Sequence, residues 1–217
     1  MGVIKRGILG GFSNKIANVV GSSWKGIATM RSLPLSVANP RTTLQVSNRN
    51  SFTYFSKIGS ALLGSVIQPL LNRDAKYMSG FNKFIKLNKD IYDRESFAGW
   101  QPLAVISDGN LSAGISTTTA TVGASAVSIT APTTLANPKD SMTDLMYGAV
   151  IVFPSNATNL VDAKAYGAGG TVARSTGTIS VPVPEIVAGN TYVVMLAYRS
   201  LDGTETSETA VQVVAVS

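Results

Sequence analysis

The sequence predicts an α+β protein: a glycine-rich basic amino-terminal arm, two helices, and then an antiparallel β-sandwich. Three observations predict it. The first carboxylate in the chain is Asp74, so a long opening segment carries basic side chains only, with glycine recurring through its first third. Apolar residues then recur at threes and fours as far as about residue 92. From Gly99 onward short apolar runs alternate with clusters of Gly, Pro, Asn and Asp. The expected boundaries are 1–41 for the arm and its connector, 42–98 for the helical segment and 99–217 for the sandwich.

In the arm, Gly2, Gly7, Gly10, Gly11, Gly21 and Gly26 sit among apolar residues at every fourth position: Ile4, Ile8, Phe12, Ile16, Val20 and Trp24. That spacing keeps one helical face apolar. Each glycine costs a helix interior about 1 kcal/mol against alanine. The segment therefore reads as an interfacial amphipathic helix formed on a membrane, or as an extended arm lying across a neighbouring subunit. The arm is the preferred reading. Pro34 and Pro40 bound the connector that follows.

The first helix is expected over about 42–68, with Leu44, Phe52, Phe55, Ile58, Leu62 and Val66 on one side and Pro69 bending or ending it. A second is expected near 80–92, where Phe81, Phe84, Ile85 and Ile91 oppose Lys83, Lys86 and Lys89. Strands follow. Pro102–Ser107 and Leu111–Ile115 are expected to pair through the Asp108-Gly109-Asn110 turn. Thr121–Thr130 alternates as one strand, and Leu145–Phe153, Thr178–Val183, Thr191–Arg199 and Thr209–Val216 complete the set. Leu201-Asp202-Gly203-Thr204 marks a hairpin between the last two. Seven or so short strands in about 115 residues point to an immunoglobulin- or fibronectin-like sandwich.

Composition excludes much chemistry. The chain has 217 residues, 45% of them hydrophobic and 14% charged, against about 25% charged in an average soluble protein. Such a chain is rich in β structure or buried in an assembly. With neither cysteine nor histidine, it lacks thiolate nucleophiles, disulfides and the side chain that titrates near neutrality. No run approaches the ~20 apolar residues that span a bilayer. Met1–Phe12 makes a poor secretory leader, because Asn14 and Lys15 cut its apolar run short. A virion or the host cytoplasm is the expected location.

The basic residues Lys5, Arg6, Lys15, Lys25, Arg31, Arg41 and Arg49, with the stripe Lys83, Lys86 and Lys89, are the candidate anion or nucleic-acid contacts. The alternatives are a solvated basic face with pairing between subunits, phosphate contact and lipid headgroups. Phe12, Trp24 and Trp100 are candidate interface anchors. No catalytic residue, metal ligand, cofactor or small-molecule substrate is expected. Gly21 to Gly26 has the glycine spacing of a phosphate-binding loop, but Ile27 and Ala28 stand where Lys and Ser/Thr are needed. Ser22-x-x-Lys25 lacks its companion Lys-Thr-Gly element. The acidic groups Asp90/Asp93/Glu95, Asp140/Asp144 and Asp202/Glu205/Glu208 lack calcium-loop spacing and read as turn and cap residues.

The opening Gly10-Gly11-Phe12-Ser13-x-Lys15-x-x-Asn18-Val19-Val20-Gly21-Ser22-Ser23-Trp24-Lys25-Gly26-Ile27, then Arg31-Ser32-Leu33-Pro34, resembles a family of uncharacterised Bacteroidota proteins of about this length. Gly80-Phe81-Asn82, Asp202-Gly203 and Ser207 extend the resemblance, and Asn14 stands where the family usually has glycine. The resemblance implies no established activity, and it carries the expectation that phage structural proteins are among the relatives. The function expected is a non-enzymatic structural protein of a large assembly, a virion or capsid component. Its basic half would meet neighbouring copies and nucleic acid through phosphates. A membrane-associated protein anchored by its first segment and a surface β-sandwich binding module are the alternatives.

Overall fold

Leu145–Phe153 and Thr191–Arg199 are apolar at nearly every position, the pattern of strands covered on both faces. In the computed structural model they are the paired central strands of a four-stranded antiparallel sheet. The structure describes residues 2–3, 12–36, 39–73, 75–89, 105–113, 118–131, 133–155 and 162–215. It divides into two units, Met1–Thr42 and Thr43–Ser217.

The larger unit is built in three layers. Its strands are β5 (Thr119–Val122), β6 (Ala126–Thr130), β7 (Leu145–Phe153), β8 (Lys164–Ala173), β9 (Thr178–Pro182), β10 (Thr191–Arg199) and β11 (Ala210–Ala215). They form two antiparallel sheets, ordered β11-β10-β7-β8 and β5-β6-β9. Alternation along β7 and β10 sorts their side chains between two cores. Met146, Val150 and Val152 join Tyr192, Val194, Leu196 and Tyr198 against Val127, Ile129, Ile179 and Val181 of the smaller sheet. Tyr147, Ala149, Ile151, Val193, Met195 and Ala197 face the other way, onto the helices.

Those helices are α1 (Thr43–Ala61), α2 (Gln68–Leu71) and α3 (Gly80–Asn88). Phe55, Ile58, Leu62 and Val66 are buried as their spacing predicts, whereas Leu44 and Phe52 are exposed. The helical path does not end at Pro69. A π-helical turn, Leu63–Ile67, adds a residue per turn (Ile67 N–H donates to Leu62 O at 3.0 Å) and delivers Pro69 into the first turn of α2. There its missing N–H costs nothing. Ser79 caps α3 by accepting from the Asn82 N–H. At the other end the buried Asn88 amide donates to Phe84 O and Val105 O and accepts from Val105 N–H. The helical segment thus shares a core with the sandwich.

Three strand expectations need correction. Thr121–Thr130 is not one strand: the chain turns back at Gly123–Ser125, and β5 pairs with β6. Residues 105–113 form no hairpin about Asp108-Gly109-Asn110. Instead Leu111 bridges to Ser207, and Gly109 lies so close to Thr206 O that a Cβ there would sit 2.0 Å from it. The edge strand β8, Lys-Ala-Tyr-Gly-Ala-Gly-Gly-Thr-Val-Ala, was absent from the expected set. Its glycines let it pass under larger neighbours: a Cβ on Gly167 would meet Ser65, Val66 and Leu62, and one on Gly169 the ring of Tyr147.

The smaller unit is a four-stranded antiparallel sheet ordered β1-β4-β3-β2, from β1 (Gly2–Val3), β2 (Asn14–Ile16), β3 (Val19–Trp24) and β4 (Ile27–Ser32). The four-residue apolar spacing of the sequence therefore does not make a helix over 14–32. Two tight turns defeat it, at Ala17-Asn18 and Lys25-Gly26. Ala17, Lys25 and Gly26 have φ of 50°, 49° and 79°, the left-handed geometry of primed hairpin turns.

Candidate functional site

Charge is divided unevenly between the units. Six of the eighteen basic residues and none of the twelve acidic ones precede Thr43. The other twelve of each cancel, so the net +6 belongs to the smaller unit.

Cross-strand register sorts that unit's side chains. Lys15 pairs with Val20, and Val20 with Arg31, placing the three in one row on one face. The adjacent registers, Ile16–Val19–Ser32 and Asn14–Gly21–Met30, point to the opposite face. Phe12 lies against Gly21 there; a Cβ on Gly21 would be 2.4 Å from its ring. One face is thus cationic, with Lys15 and Arg31 exposed. The other carries most of the apolar side chains, with Phe12 and Val19 half-buried and Ile16 and Met30 exposed beside Asn14 and Ser32.

The other predicted contacts are scattered. Lys25 occupies the β3–β4 turn and Arg41 the connector. In the larger unit, exposed Arg49 lies on α1. The expected stripe on α3 is uneven: Lys83 is half-buried, while Lys86 and Lys89 are exposed. Trp24 ends β3; Lys5, Arg6 and Trp100 lie outside the described residues. Phe12, expected as an anchor for a neighbour, packs within its own unit.

Sequence reasoning gave no role to Arg174, which is fully buried. It opens the 3-10 turn Arg174–Thr176 after β8, and its backbone N–H donates to Asp144 O at 2.7 Å. Its Nη1 lies 3.5 Å from Asp140 Oδ1 and 3.6 Å from Asp144 Oδ2. Nη2 donates to Ser112 Oγ at 2.9 Å and to the carbonyls of Ser112 and Thr134 at 3.2 Å. Asp140 also accepts from the Ser112 hydroxyl and from the N–H groups of Ser112, Ala136 and Asn137. Burial pushes the Asp140 carboxyl up, but these bonds and the Arg174 charge outweigh it and hold it below its usual value. Two carboxylates and a guanidinium thus tie three loops to the end of β8. The sequence signal was weak: Asp140 and Asp144 were visible, but nothing marked their partner 30 residues on.

Beside this cluster an open cleft of about 640 Å³ is lined by Lys139, Ser141, Thr143, Asp144 and the Ser200–Glu205 turn. Its polar groups bind one another. Lys139 Nζ donates to Glu205 at 2.7 Å, and Asp202 accepts from Ser200 Oγ and from Thr204 N–H and Oγ1. Those bonds hold Asp202 at about 2, so it is an ionised turn cap rather than a base near neutrality. Among the described residues no group of three acidic side chains could hold a metal ion, and no helix is long and apolar enough to cross a membrane.

The molecule is therefore an α+β protein in which a cationic antiparallel sheet accompanies a helix-backed β-sandwich. The chain belongs to the family of unknown function DUF6266, which it matches over residues 11–212. No curated protein matches it.

Proposed function

We propose that this protein is a non-enzymatic structural component of a large assembly, a virion being the kind that would set such a chain against nucleic acid. The observation that carries the reading is the segregation of charge: the whole net +6 lies in the first 42 residues, joined to a unit of equal acids and bases. A neutral sandwich packs against copies of itself without electrostatic penalty, while the cationic sheet needs an anionic counterpart.

We further propose that the sandwich is of the immunoglobulin/fibronectin type. Counted from β5, strands one, two and five form one sheet and three, four, six and seven the other. That differs from the constant-type antibody arrangement only in the side taken by the fourth strand. A second feature supports it. Near the start of the sixth strand, the Tyr192 hydroxyl accepts from Val187 N–H at 3.0 Å and donates to Val187 O at 3.3 Å, as a tyrosine corner does. Domains of this kind serve as packing and binding modules, and fold alone assigns no chemistry.

Negative-stain imaging of the purified full chain tests the assembly reading. Shells, tubes or fibres are expected; a field of isolated particles of monomer size across the accessible concentration range would refute it.

A further inference from the structure

We propose that the Lys15–Val20–Arg31 face of the amino-terminal sheet is a binding surface for the sugar-phosphate backbone of nucleic acid. The inference rests on the assembly reading above and names the polyanion that the assembly holds. Paired residues on neighbouring strands project to the same side, and strands lie about 4.8 Å apart, so Lys15 and Arg31 stand about 10 Å apart on one face. Both are exposed, and their unit contains no carboxylate. Exposed Ser22, two residues along β3 from Val20, adds a hydroxyl to the same face. Backbone phosphates are bound by such an arrangement of cations and hydroxyls without reading sequence.

Two other occupants fit less well. Of the described carboxylates of a second copy, most are engaged in its own fold: Asp140 and Asp144 flank Arg174, Glu205 pairs with Lys139, and Glu185 with Lys164 at 2.8 Å, which leaves the exposed Asp108, Asp162 and Glu208 scattered over separate loops. Asp202 is spent capping its own turn. An anionic membrane would take the exposed apolar side chains, yet only Ile27, among the described side chains, is an exposed large apolar residue on the cationic face, and Ile16 and Met30 lie on the opposite one. A sheet resting on lipid by that face would point Lys15 and Arg31 away from the headgroups.

The test titrates the full chain with a labelled 30-nucleotide single strand from about 50 to 300 mM salt. Wild type, Lys15→Gln/Arg31→Gln and a control, Lys76→Gln/Lys164→Gln, are compared; the control removes two charges from the larger unit. The first pair is expected to weaken binding about tenfold or more near 0.1 M salt, and to flatten the slope of log K against log salt by about 1.4. The charge-preserving exchange Lys15→Arg/Arg31→Lys should bind as wild type, showing that the sheet still folds. Equal losses in the first pair and the control, no wild-type binding at 50 mM, or stronger charge-dependent binding to phosphatidylserine vesicles than to the strand would each overturn the proposal. Light scattering on the same samples separates the two readings. Particles that form without nucleic-acid binding sink this inference alone, and binding by a chain that stays monomeric sinks only the assembly reading.

Discussion

Arg174 and Tyr198 are stacked: the guanidinium carbon lies 4.4 Å from the ring centroid, and both side chains are fully buried. The cation thus has an aromatic face on one side and carboxylates on another, which is what a buried guanidinium needs. Replacing Arg174 by Met keeps volume but leaves Asp140 and Asp144 buried without their counter-charge. Urea denaturation should show a loss of about 3–5 kcal/mol. Arg174→Lys should recover little of it, because an ammonium cannot reach Ser112, Thr134 and both carboxylates together.

Acid should act through the same region. Asp140 and Asp202 both have carboxyls held below their ordinary values, Asp202 at about 2. A depressed carboxylate gives stability that is present above its unfolded pKa, near 4, and is lost as pH falls through its folded value. The urea midpoint should therefore hold down to about pH 4 and then fall steadily toward pH 2. Asp202→Asn should show a shallower fall over that window.

The Tyr192 hydroxyl satisfies both the N–H and the carbonyl of Val187. Tyr192→Phe removes one atom and leaves the Val187 N–H without its partner, while the Val187 carbonyl keeps the Asn190 N–H at 3.3 Å. A cost of about 0.5–1.5 kcal/mol is expected by thermal or chemical denaturation, with the far-ultraviolet spectrum unchanged.

Two glycines should respond oppositely to alanine. A Cβ on Gly148 would stand 2.9 Å from both Ile129 Cδ1 and Val181 Cγ2, between the two sheets, whereas one on Gly64 meets nothing within 4 Å. Gly148→Ala should destabilise by about 1–3 kcal/mol through overpacking. Gly64→Ala should stabilise by about 0.5–1 kcal/mol, since it restricts the unfolded chain and favours the helical path. Paired melting curves give both signs.

What the sequence revealed followed from how far each pattern depends on its neighbours. The runs Leu145–Phe153 and Thr191–Arg199 were legible because strands buried on both faces are apolar throughout, and the helical spacing from Phe55 to Val66 survived because those residues meet a sheet. The amino-terminal strands were hidden. Apolar residues at every fourth position suit a helix, and only the left-handed turns at Ala17 and Lys25-Gly26, a backbone property, reveal the hairpins. The dipeptide Lys25-Gly26 is a sequence signal for the second of them alone. β8 escaped because its glycines are set by Tyr147 and by Leu62 and the π turn, all distant in sequence. For the candidate site, the absence of acids before Asp74 marks a cationic segment, but sorting Lys15 and Arg31 onto one face requires strand register. Arg174 was invisible because its partners lie on separate loops.

Sedimentation velocity of the full chain, across a concentration series at low and high salt, tests the central claim most directly. The account predicts species many times the 22.7 kDa of one chain, present at every concentration above a threshold. A single species of that mass throughout the series would contradict it.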